Sequence, residues 1–131
     1  MILLDTHVLV FLALRPERLS KPATRAIAKA ERRDGVAISS ITLWELAQLV
    51  DQGRVAVPGS VEGFLGDVCR RPGLTVLDIT ADIAALTLLF PATFPKDPAD
   101  RIIGATARAH GLPLVTKDGN MQESPLLRTI W

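Results

Sequence analysis

Short apolar runs alternate along the chain with segments whose apolar positions repeat at helical spacing. Ile2–Leu4 has no polar alternation, which suits a strand buried on both faces of a parallel sheet. Residues 36–38, 74–79 and 112–116 are the next strand candidates, and residues 126–130 suit a fifth strand at an edge. Between them the spacing predicts helices. One covers Thr6–Leu14. A second is capped by Ser20, accepts Pro22 in its first turn and stops at Gly35. A third follows Ser39 and Ser40, with Leu43, Leu46, Ala47 and Val50 on one face and Gly53 at its end. Ser60 opens a helix to Arg70, and Thr80 opens another to about Leu89. After the proline-rich stretch PATFPKDP, Asp97 and Pro98 suit the cap and first position of a helix that reaches His110 and Gly111. Asp118-Gly119 reads as a turn. Strands and helices in alternation define an α/β class: a three-layer α/β/α sandwich around a mainly parallel sheet of four to five strands.

Composition narrows this picture without redirecting it. The 131 residues fit one domain spanning 1–131, and an apolar content of 48% supports a packed core. No repeat, low-complexity segment or linker interrupts the chain. Net charge is +1, so a polyanionic partner would have to be met by local rather than global positive charge. The lone Cys69 excludes an internal disulfide and reads as a small buried or half-buried side chain. No apolar run has the length of a membrane helix. The opening MILLDTHVLVFLAL lacks a basic start and a small-residue cleavage site, and Asp5 interrupts it. It is therefore expected to be mature structure of a cytoplasmic protein.

Chemistry concentrates in acids at the element boundaries: Asp5, Glu45, Asp100 and Asp118. In an open parallel sheet, ligands bind beyond the carboxyl ends of the strands. Carboxylates gathered there repel one another, and a hard divalent cation such as Mg²⁺ or Mn²⁺ relieves this through oxygen ligands. Each acid also has a purely structural reading. Asp5 can cap the first helix, and Glu45 can close a capping box opened by Thr42. Asp118 can be an Asp-Gly turn. Asp97 and Asp100 both suit a helix dipole in the first turn; Asp97 reads mainly as a cap and Asp100 mainly as a site residue. Thr6 and Thr116 are secondary candidates beside the acids. Lys96, Arg101 and Lys117 are candidates for phosphate contact, with Arg101 alternatively pairing with a carboxylate. His7 reads as a packed or rim residue, His110 as a partner of a helix C-terminus, and Trp44 as core or interface. Zinc is disfavoured, because neither HxxxH nor CxxC occurs. Six aromatic residues and no tyrosine argue against strand recognition dominated by base stacking.

LLDTHVLVFL, SSITLWELAQLVDQGRV, DPADRIIGATARAHGLPLVTKD and LLRTIW, in this order across nearly the whole chain, resemble the PIN-domain ribonucleases, specifically VapC-like toxins of toxin–antitoxin pairs. The resemblance implies a PIN fold, Mg²⁺ or Mn²⁺ dependence, an RNA substrate, a cognate antitoxin and a homodimer. It assigns the acidic metal site to Asp5, Glu45, Asp100 and Asp118, an accompanying acid to Asp97, and the hydroxyl beside the last acid to Thr116. The chain departs from the family after that acid, where GNMQESP precedes the tail. Two competitors share the gross features. One is a non-catalytic interaction module on the same fold. The other is a phosphoacceptor receiver domain, which would need paired acids after the first strand and an acceptor aspartate after the third, whereas the chain has the single Asp5 and Asp78 lies inside its strand candidate.

Overall fold

The computed structural model describes residues 1–131. Five parallel strands form one sheet: β1 (Ile2–Leu4), β2 (Val36–Ser39), β3 (Leu74–Leu77), β4 (Leu114–Val115) and β5 (Thr129–Ile130), in the spatial order β3-β2-β1-β4-β5. The expected architecture is the one observed, with β5 at an edge.

Strand alternation divides the core into two layers. Ile2, Leu4, Val36, Ile38 and Val115 point to one face of the sheet. There they meet α1 (Thr6–Leu14), α2 (Lys21–Glu31), α3 (Ser40–Asp51) and α4 (Val61–Cys69) through Val8, Leu9, Ile27, Leu46 and Val68. Leu3, Ala37 and Leu114 point to the other face. They pack under α5 (Ala81–Leu86), α6 (Pro98–His110) and α7 (Gly119–Gln122) through Ile83, Ile103, Ala105 and Met121. A period of two along each strand thus places apolar side chains in both layers.

Several of the predicted caps form as expected. Ser20, Ser60 and Thr80 each accept the backbone N–H of the third residue that follows. The structure differs from the pattern in several places. α2 ends at Glu31, ahead of Gly35, and the segment predicted to run from Thr80 to Leu89 tightens into a 3-10 turn at Thr87–Leu89. A second 3-10 turn, Pro16–Arg18, follows α1. β3 stops at Leu77 because Thr80 turns the chain into α5. Asp118-Gly119 is not an isolated turn: Asp118 caps α7. Cys69 is exposed at the end of α4, so the expectation of burial fails.

Gly35 makes the α2–β2 connection possible. Its φ is 86°, and a Cβ there would lie 2.5 Å from the carbonyl oxygen of Gly73, which immediately precedes β3. Gly35→Ala should cost about 2–4 kcal/mol, from left-handed strain and a backbone clash together. Urea denaturation of the two proteins measures this.

Candidate active site

The chain runs from β1 outward to β2 and β3, then crosses back to β4 and β5. The order in which strands are added therefore reverses between β1 and β4, where a crevice opens at the carboxyl ends of the strands. A cavity of about 650 Å³ occupies this place. Asp5, Glu45, Asp97, Asp100 and Asp118 all line it, together with His7, Trp44 and Lys117.

Each acid is positioned by a specific local structure. Asp5 directly follows β1 and caps α1, accepting the Thr6 N–H at 2.8 Å. Its other oxygen accepts the Thr116 hydroxyl at 2.7 Å. Thr116, fully buried after β4, also accepts the Asp118 N–H at 3.1 Å and so ties the first acid to the last. Asp118 accepts the Met121 N–H at 2.9 Å as the cap of α7. Asp97 caps α6 through the Ala99 N–H, and Asp100 lies in the first turn, as the sequence suggested.

Glu45 is held differently from expectation. Ser39, not Thr42, caps α3, which places Glu45 in the second turn and rules out the capping box. Its carboxylate instead accepts the Thr6 hydroxyl at 2.5 Å. Thr6 has one hydroxyl hydrogen and commits it to Glu45. The buried Thr42 hydroxyl, 3.0 Å from that of Thr6, is then the donor to it. The relay from Thr42 through Thr6 to Glu45 was invisible in sequence, because residues far apart in the chain form it.

Crowding shows in the ionisation of the acids. Burial pushes the Asp5 carboxyl up, against the lowering by Thr116 and the Thr6 amide. Burial also raises Glu45, with Thr6 opposing and Asp5 and Asp97 adding to the rise. Asp100 is pushed up to about 7, first by burial and then by Asp5, Asp97, Glu45 and Asp118, with no hydrogen bond to offset these causes. Replacing Thr116 by Val would remove the hydroxyl donor from a buried carboxylate. A loss of about 1.5–3 kcal/mol is expected in chemical denaturation.

The donor set consists of carboxylate oxygens, which suits Mg²⁺ or Mn²⁺ and not a softer ion. No three His, Cys, Asp or Glu side chains stand close enough to form a ready-made cage. That spread still fits Mg²⁺, which keeps several waters and takes only one or two protein carboxylates directly.

The basic candidates separate. Lys117 lines the cavity, whereas Lys96 and Arg101 do not. Arg101 forms no ion pair; its guanidinium donates to the Thr87 carbonyl at 3.3 Å. His7 is an exposed rim residue. Trp44 is 58% exposed at the mouth of the cavity, so it is not a core residue. Gln48, Leu49, Gln52 and Arg54 were not anticipated. Gln48, Leu49 and Gln52 follow Glu45 at i+3, i+4 and i+7, so the helical face through Glu45 was a usable signal. Arg54 lies beyond the helix, where that spacing no longer applies. Asp78 is exposed and outside the cavity, which removes the aspartate a receiver domain would need.

Residues 2–125 match the PIN domain family. Ribonuclease VapC22 of Mycobacterium tuberculosis is 38% identical over 132 aligned positions, covering 99% of this chain and 98% of the relative. Among solved structures, VapBC2 from Rickettsia felis bound to a promoter DNA fragment aligns with a TM-score of 0.72 at 19% identity, covering 98% and 97% of the two chains. A toxin–antitoxin complex from Klebsiella pneumoniae aligns with a TM-score of 0.66 at 22% identity, covering 97% and 95%. The chain belongs to the PIN domain family, and within it to the VapC-like group.

Proposed function

We propose that the protein is a metal-dependent endoribonuclease and the toxin of a toxin–antitoxin pair. The observation that carries this reading is the convergence of five carboxylates on one open cavity at the switch point of the sheet. Asp5, Asp100 and Asp118 would hold Mg²⁺ or Mn²⁺, directly or through water, with Glu45 completing the acidic pocket. When bound, the ion would supply positive charge against a phosphodiester and make a nearby water more acidic. The reaction class is in-line hydrolysis, which leaves 3′-hydroxyl and 5′-phosphate ends. Within the chain, Thr116 orients Asp5, Thr6 and Thr42 orient Glu45, and Asp97 secures the first turn that carries Asp100.

A relative named as a ribonuclease at 38% identity supports RNA as the substrate. A toxin–antitoxin complex of the same fold supports a protein antitoxin as partner. The reading places the protein in the cytoplasm, and no helix is long and apolar enough to cross a membrane. It also includes a homodimer, for which exposed Ile79, Leu88 and Leu89 supply apolar surface. Retention of every acid at the cavity speaks against a non-catalytic module.

Chelation tests the proposal. Purified protein should cleave single-stranded RNA in Mg²⁺, stop in EDTA, resume when Mn²⁺ is restored, and yield 5′-phosphate ends. Cleavage that persists in EDTA, or ends bearing a 2′,3′-cyclic phosphate, would count against it.

A further inference from the structure

A second cavity, of about 520 Å³, adjoins the acidic one and shares His7, Phe11, Leu49 and Arg54 with it. Its electrostatic character is reversed. Arg15, Arg18 and Arg54 line it, and no carboxylate does. The ion pairs of the protein join Met1 to Asp34, Arg70 to Asp67 and Arg71 to Glu31, which leaves these three guanidiniums without a carboxylate partner. The Arg18 guanidinium carbon lies 5.6 Å from the centroid of the Phe11 ring, a cation–π contact that leaves its N–H groups free. Arg15 ends α1 and Arg18 ends the 3-10 turn that follows, so both side chains spring from short, defined backbone.

An acidic pocket by itself repels a polyanion, and a net charge of +1 provides no general attraction. Strand binding then depends on local positive charge beside the pocket. Guanidinium groups suit this role, because their fork of donors matches phosphate oxygens. Building on the proposed nuclease function, we infer that Arg54, Arg15 and Arg18 form a phosphate-binding track that carries single-stranded RNA out of the acidic pocket. Arg54 lines both cavities and stands at the junction. Val10, Leu14 and Val55 add apolar lining to the same cavity. An acidic protein segment is the competing occupant. Continuity with a pocket suited to a phosphodiester favours the nucleic acid.

The test measures binding of a short, fluorescein-labelled single-stranded RNA of mixed sequence across a salt series. Its background is the Asp100→Asn protein, with Arg15→Ala and Arg18→Ala added together. The track predicts about tenfold weaker binding, with the log–log salt slope shallower by about 1.4 for two lost phosphate contacts on a single strand. In the wild-type background the same double change should leave hydrolysis of bis(p-nitrophenyl) phosphate unchanged, since that diester is too short to reach the track. A merely structural loss would lower both activities and leave the salt slope intact. Unchanged RNA affinity and slope would overturn the track and hand the groove to a protein segment. RNA binding by neither protein, together with no cleavage by the wild type, would overturn the nuclease reading and the track with it.

Discussion

Asp100→Asn should abolish Mg²⁺-dependent RNA cleavage, by at least about a thousandfold in kcat, while leaving RNA affinity equal or improved. Asp100 is the acid on which all the others press, and nothing in the protein offsets that pressure. Its negative charge is therefore costly without a positive partner, and a divalent cation is the partner its chemistry suits. The amide keeps the size and the helix position but lowers the negative charge of the cavity. The expected result is a split, with turnover lost and binding of the polyanion kept. Loss of both together would point instead to a damaged fold, and circular dichroism distinguishes the cases.

The second large effect concerns pH. Asp100 titrates from 3.8 in its ordinary state to about 7 in the folded protein. Asp5 and Glu45 are raised in the same direction. Between those values the folded state binds more protons than the unfolded one, so stability falls as pH rises from about 4 through about 7. The metal-free protein should melt at a higher temperature at pH 5 than at pH 8. Asp100→Asn should remove much of that difference and raise the pH 8 stability by about 1–2 kcal/mol once solvent screening is allowed for. That corresponds to roughly 3–8 °C in Tm. Mg²⁺ should restore stability to the wild type at pH 8, by about 1.4 kcal/mol at roughly ten times its Kd, and do little for the variant. A wild-type Tm that rises between pH 5 and pH 8 without metal would contradict the electrostatic account.

Much of this was legible in the chain because it rests on local rules. Apolar runs ended by polar residues marked the strands, and Ser20, Ser60, Thr80 and Asp97 marked helix starts through the backbone N–H groups they accept. The acids at strand and helix boundaries reached one cavity because the switch point of a parallel sheet gathers those boundaries. What stayed hidden depends on tertiary partners. Glu45 looked like half of a capping box, but Thr6 on another helix claims its carboxylate. Asp118-Gly119 looked like a turn until Met121 continued it as a helix with a buried apolar side chain. Arg101 looked like a partner for a carboxylate or, failing that, a phosphate, yet its guanidinium donates to the Thr87 carbonyl. Arg54 carried no sequence signal, because its place at the junction of two cavities follows from how α1 and α3 lie together.

The central claim is that the acidic cavity hydrolyses RNA with the help of a divalent cation. End-labelled total RNA incubated with purified protein in Mg²⁺ or in EDTA, beside the Asp100→Asn variant, tests it most directly. The account predicts discrete fragments in Mg²⁺ with the wild type alone, and the fragment ends would identify the target. Intact RNA in every lane, or the same fragments from the variant, would contradict it.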